Sequence, residues 1–129
     1  MNEIDAYLDA IKLGLISSPI ISEYTIVKER TTATDGYVRV RATLLNGDFV
    51  ELTEYSSRVE QEVTTVDYRY QWMDPGMVHL RQSWDNTPHH PDTPNFAHHV
   101  HLENDNRVIA GESMSILQVL TVLETYLEA

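Results

Sequence analysis

Residues 37–48 read Tyr-Val-Arg-Val-Arg-Ala-Thr-Leu-Leu-Asn-Gly-Asp, and this stretch sets the fold class. Val38, Val40, Ala42 and Leu44 alternate with Tyr37, Arg39, Arg41 and Thr43, the period of two that assigns one set of side chains to each face of a strand. Asn46-Gly47 then supplies the dipeptide that most readily adopts the backbone of a tight hairpin turn. Thr34-Asp35-Gly36 upstream and Asp74-Pro75-Gly76 downstream are further turn signals, so Ile20 to Asp85 divides into four or five strands of an antiparallel meander. The alternation continues in the fourth strand, with Val66, Tyr68, Tyr70 and Trp72 against Asp67, Arg69 and Gln71. In the fifth it sets Val78, Leu80 and Trp84 against His79, Arg81 and Asp85.

The period changes on either side of the meander. Ile4, Leu8, Ile11 and Leu15 recur at helical spacing, with Asn2 as N-cap and Ser17-Ser18-Pro19 as the stop. Ile116, Leu120, Leu123 and Leu127, widened by Val119 and Tyr126, form a second helical stripe that starts near Ser113. Two apolar stripes need one apolar surface, and one face of the meander provides it. The expected fold is α+β: an N-terminal helix, an antiparallel meander of about five or six strands, and a C-terminal helix packed on one sheet face, all in a single domain spanning 1–129.

Composition narrows the function classes. The chain has 129 residues and no cysteine, which excludes disulfides, thiolate metal sites and a thiol nucleophile. Nine Lys and Arg against 20 Asp and Glu give a formal charge of -11, which repels nucleic acid at long range, and no basic recognition helix exists for direct DNA binding. The start Met1-Asn2-Glu3-Ile4-Asp5 lacks a basic leader, and no run approaches the roughly 18 apolar residues of a membrane span, so a cytoplasmic protein without membrane contact is expected. Within this acidic chain, Arg39, Arg41, Arg69, Arg81 and His79 fall on one sheet face. They either pair across strands with Glu51, Glu54 and Asp67 or form an anion-binding surface.

Chemistry concentrates between Trp84 and His101, where five of the six histidines and three of the five prolines lie. Three chemistries are open to it. A divalent transition metal could be held by imidazoles drawn from His89, His90, His98, His99 and His101 with Asp85 or Asp92, although no established ligand spacing is present. Metal-free acid–base cleavage of RNA could use His99 or His101 beside Arg81, Tyr70 and Asp85, since the 2′-hydroxyl needs a base, the leaving oxygen an acid and the phosphorane a cation. Alternatively the histidines are structural, bonding backbone carbonyls in a loop that Trp84 and Phe96 pin to the core.

The succession Asp35-Gly36-Tyr37, Asn46-Gly47-Asp48, Glu54-Tyr55, Tyr68-Arg69-Tyr70, Trp84-Asp85-Asn86, Pro88-His89-His90 and Phe96-Ala97-His98-His99-Val100-His101, followed by a short helix, resembles the TumE-like family. Its members are described as toxin components of toxin–antitoxin pairs. The resemblance implies a small cytoplasmic protein, masked by a cognate helix-turn-helix antitoxin and directed at a host growth function. Carried over position by position, it marks Tyr68, Arg69, Tyr70, Asp85, Asn86, His89, His90, His98, His99 and His101. The chain departs from the family at Ala97, where proline is frequent, and at Ser83, where arginine is frequent, so an anion-binding step would fall to Arg81.

Two functions are therefore expected to compete. One is a toxin that cleaves RNA, with His99, His101, Arg81, Tyr70 and Asp85 catalytic and with Tyr68, Arg69, Arg39, Arg41, Asn86, His89 and His90 binding. The other is a non-enzymatic module that holds a partner protein through the Tyr and Arg face, its histidine loop structural or metal-binding. The sequence is compatible with a homodimer in either case.

Overall fold

The computed structural model describes residues 2–86, 98–102 and 107–128. The chain begins with α1 (Glu3–Ser17), capped by the Asn2 side chain, whose Oδ1 accepts from the Asp5 N–H at 2.9 Å. A meander follows: β1 (Ile21–Thr31), β2 (Asp35–Leu44), β3 (Phe49–Val59), β4 (Glu62–Met73), β5 (Leu80–Asp85), β6 (His99–Leu102) and β7 (Arg107–Ala110), with α2 (Ile116–Glu128) last. Strand order in the sheet equals chain order and every neighbour pair is antiparallel. The expected architecture is present. The sheet reaches seven strands because β6, at the end of the histidine segment, and β7 after it, both too short for alternation to reveal, extend the meander.

Both helices cover one face. Ile4, Leu8, Ile11 and Leu15 of α1 and Ile116, Val119, Leu120 and Leu123 of α2 pack on Val38, Val40, Ala42, Leu44, Val50, Leu52, Tyr68, Tyr70, Trp84 and Val100. Each such aliphatic side chain contributes roughly 1.5–3 kcal/mol by leaving water, so this face is the source of the fold's stability. Tyr126 is not part of that core: it is half exposed and its ring tilts against Trp72 at 5.7 Å. α2 starts later than Ser113. Ser115 is its cap, accepting from the Gln118 N–H at 3.2 Å while Gln118 Oε1 accepts from the Ser115 N–H at 2.8 Å, a reciprocal capping box.

Register determines which side chains share the opposite face. One cross-sheet row runs Arg39, Thr53, Arg69, Asp85, His99, and the next runs Arg41, Glu51, Gln71, Ser83, His101. A bulge interrupts the β4–β5 pairing, where Trp72 opposes Gln82 and Met73 opposes Leu80, leaving Arg81 as the extra residue. Bulges re-aim side chains. Here Arg81 is turned to the buried Asp48, which it grips at 2.8 and 3.1 Å through two nitrogens.

Candidate functional site

β5 and β6 bring Asp85 and His99 directly opposite one another, and the strand period places His101 two residues on, on the same face. His99 Nε2 lies 2.7 Å from Asp85 Oδ1, and His101 Nε2 lies 3.2 Å from Asp85 Oδ2. The two rings meet edge to face with centroids 4.7 Å apart. All three residues are buried, at 5% exposure for Asp85, 2% for His99 and 9% for His101, although they sit on the sheet face turned away from both helices. Burial of three polar side chains outside the apolar core, two of them sharing one carboxylate, is the polar feature that the helix–sheet packing does not require.

The remaining predicted site residues separate into groups. Tyr70 and Tyr68 are on the helix-covered face. Tyr70 donates to Glu54 Oε1 at 3.2 Å and to the Met114 carbonyl at 2.9 Å. Tyr68 contacts the Glu112 carbonyl at 3.1 Å and His98 Nδ1 at 3.0 Å, with the His98 ring stacked on it at 5.9 Å. A carbonyl can only accept, so the tyrosine proton is directed to Glu112 and His98 Nδ1–H donates to the hydroxyl. Consecutive histidines therefore face opposite ways: His98 ties the chain ahead of α2, and His99 joins Asp85.

Asn86 extends the β4–β5 ladder past its last regular pair: its Oδ1 accepts from the Tyr68 N–H at 3.1 Å and its Nδ2 donates to the Val66 carbonyl at 2.8 Å. That anchors Asp85 one residue away. Arg39 and Arg41 both bind Glu51, at 3.1 and 3.0 Å, as cross-strand pairing expects, and Arg81 is held at Asp48 by the bulge. Arg69 is exposed beside Asp85 on the adjoining strand. His89, His90 and Asp92 lie outside the described residues.

Glu54 was expected on the arginine face and is instead in the core. Its carboxylate accepts from Tyr7, Thr65, Tyr70 and the Ile116 N–H. Its parity with Val50 and Leu52 was the available signal. Burial, followed by the Glu54 charge, raises the pKa of both Tyr7 and Tyr70 well above the ordinary tyrosine value. Tyr68 is pushed up to about 12, first by burial and then by Asp85.

Two imidazoles and one carboxylate form a donor set suited to a divalent transition metal. Their candidate ligand atoms all lie within 4.8 Å of one another. Ligand bonds of about 2.0–2.2 Å at tetrahedral angles separate donor atoms by about 3.4 Å, so the residues fit such an ion after closing their widest separation by no more than about 1.4 Å. The same trio, without an ion, is a pair of imidazoles oriented by a common carboxylate, the arrangement that general acid–base chemistry uses.

The family model for the toxin TumE matches residues 10–129, nearly the whole chain and all of Asp85, His99 and His101. The chain belongs to the TumE toxin family. No curated protein and no solved structure gives a significant match. Among the described residues of this TumE family member, no helix is long and apolar enough to cross a membrane.

Proposed function

We propose that this chain is the toxin half of a cytoplasmic toxin–antitoxin pair, and that it arrests growth by cleaving RNA at the Asp85–His99–His101 centre. The observation that carries this reading is the convergence of both imidazoles on one buried carboxylate. Asp85 would fix the ring orientations, and one imidazole would take the proton of the attacking 2′-hydroxyl while the other supplies one to the leaving oxygen. Arg69, opposite Asp85 on β4, is the nearest cross-strand source of positive charge for the phosphorane.

The close approach of the three donors also favours a metal-assisted version. His99, His101 and Asp85 would hold a divalent ion, which when bound supplies Lewis acidity and a more acidic coordinated water. The partner implied by the family is an antitoxin, expected to carry a helix-turn-helix domain. The charge of -11 repels nucleic acid at long range, so contact with RNA has to come from a local patch of cations.

The test is growth on induction in cells lacking the antitoxin. Asp85→Asn, His99→Ala and His101→Ala should each relieve growth arrest by at least about tenfold in surviving colonies, as loss of an acid–base group predicts, with far-ultraviolet circular dichroism unchanged. A folded His99→Ala/His101→Ala double variant that still arrests growth would overturn the assignment.

A further inference from the structure

We propose that the sheet face opposite the helices carries a groove for single-stranded RNA, running from Arg30 across the Tyr37–Tyr55 pair to Arg69 and on to the Asp85–His99–His101 centre. The destination of this groove rests on the RNA-cleavage reading above; its course rests on the surface itself.

Tyr37 and Tyr55 are direct cross-strand partners on β2 and β3. Both are half-buried, so each ring is fixed by its neighbours while still reaching solvent. A hollow opens on either side of the pair. One, about 320 Å³, is lined by Arg30, Thr32 and Asp35 together with both tyrosines. The other, about 240 Å³, is lined by Thr53, Asp67 and Arg69 with the same tyrosines. Two tyrosines on neighbouring strands, flanked by open hollows, offer the kind of platform on which single-strand binders stack bases without reading sequence, because every base has a π-face.

The cations of the chain separate in the same way. Arg39 and Arg41 are paired with Glu51, Arg81 with Asp48, Arg58 with Glu3, and Lys12 with Glu29. Among the described arginine side chains, Arg30 and Arg69 alone make no ion pair. Arg30 lies 5.9 Å over the Tyr37 ring, and Arg69 stands opposite Asp85 on the next strand. In a chain with more than twice as many acids as bases, two guanidinium groups that make no ion pair, at the two ends of one aromatic pair, are placed to take phosphates. Asp35 and Asp67 also line the two hollows, and the Asp35 side chain is hydrogen bonded to Tyr55. With strands about 4.8 Å apart, the path from Arg30 on β1 to the imidazoles on β6 covers about 24 Å, enough for a few nucleotides.

The probe is a fluorescein-labelled 2′-O-methyl RNA of mixed sequence, which lacks the attacking hydroxyl, titrated by anisotropy at two salt concentrations. Arg69→Ala and Tyr55→Ala, both substitutions at accessible positions, should each weaken binding about tenfold. Arg69→Ala should also flatten the salt slope by about 0.7, the contribution of one single-strand phosphate. The Tyr70→Phe variant, altered on the helix-covered face, should bind within about twofold of wild type. No binding by the wild-type chain, or unchanged binding by Arg69→Ala and Tyr55→Ala, overturns the groove; if those variants instead release the antitoxin, the face belongs to a protein partner. Loss of RNA binding in them while the double histidine variant still arrests growth would leave the groove standing and remove the cleavage reading.

Discussion

The Glu54 carboxylate of β3 accepts the backbone N–H of Ile116, the first residue of α2, at 2.8 Å across 62 positions of sequence. The same carboxylate takes the hydroxyls of Tyr7 from α1 and Tyr70 from β4, so one buried side chain fastens both helices to the sheet. Glu54→Ala leaves the buried Ile116 N–H without its acceptor and strips one acceptor each from Tyr7 and from Tyr70, which retains the Met114 carbonyl, and unfolding in urea should show a loss of at least about 3 kcal/mol. A loss below about 1 kcal/mol would mean that water replaces the carboxylate at no cost.

Tyr70→Phe separates stability from activity. Removing the hydroxyl deletes its bonds to Glu54 and to the Met114 carbonyl and should cost about 1–2 kcal/mol. Growth arrest should survive, because Tyr70 lies on the sheet face opposite His99. A stable, non-toxic Tyr70→Phe would return this tyrosine to the reacting groups.

The donor trio predicts metal uptake. In thermal unfolding of untagged protein, zinc at about a hundred times its dissociation constant should stabilise by about 2.7 kcal/mol. Asp85→Asn and His99→Ala should abolish that increment, and elemental analysis should show the matching loss of ion. An increment retained in both variants would place the ion elsewhere.

Alkaline unfolding follows from the tyrosines. Tyr68 rises from 10.0 to about 12, and Tyr7 and Tyr70 are raised further still. A raised folded-state value means that the folded chain keeps its proton where the unfolded chain has lost it. The stabilisation is therefore complete below pH 10 and declines as the pH climbs towards 12. Spectrophotometric titration should find Tyr7, Tyr68 and Tyr70 ionising together with loss of the fold, whereas smooth titration of all seven tyrosines in a folded chain would contradict it.

Gly111 is a backbone test of the centre. A Cβ at this position would stand 3.2 Å from His99 Cα and 3.2 Å from Val100 Cγ2. Gly111→Ala should displace β6, costing about 1–3 kcal/mol, and should lower growth arrest although residue 111 supplies no reacting group. Wild-type stability and toxicity together would show that β6 gives way freely.

Much of this was legible in the sequence because alternation and helical spacing report burial directly. The α1 and α2 stripes, the β2 faces and the Asn46-Gly47 turn were all readable. The Glu60-Gln61 turn joining β3 to β4 was not, since Glu60 adopts φ 59 with neither glycine nor asparagine to announce it. His99 and His101 are readable as a pair, because a spacing of two puts them on one side of an extended segment, whereas the choice of Asp85 over Asp92 as their companion rests on the β5–β6 register, which the sequence does not reveal. Arg81 was misplaced relative to them because a bulge breaks the parity on which the reading relied. Glu54 was assigned by its charge, when its place in the Val50, Leu52 alternation had already put it inside.

His99 and His101 are neighbours on one face of β6 because the strand repeat spaces them about 7 Å apart, whatever precedes the strand. The length of the connection from Asn86 to His98 is thereby uncoupled from the geometry of the donors. What the donors require of the chain is that β6 keep its pairing with β5, Asp85 opposite His99 and Ser83 opposite His101. An insertion of one residue between His99 and His101 breaks that requirement: it sends one imidazole through the sheet to the Tyr68 side and dismantles the trio while leaving the composition of the segment almost unaltered.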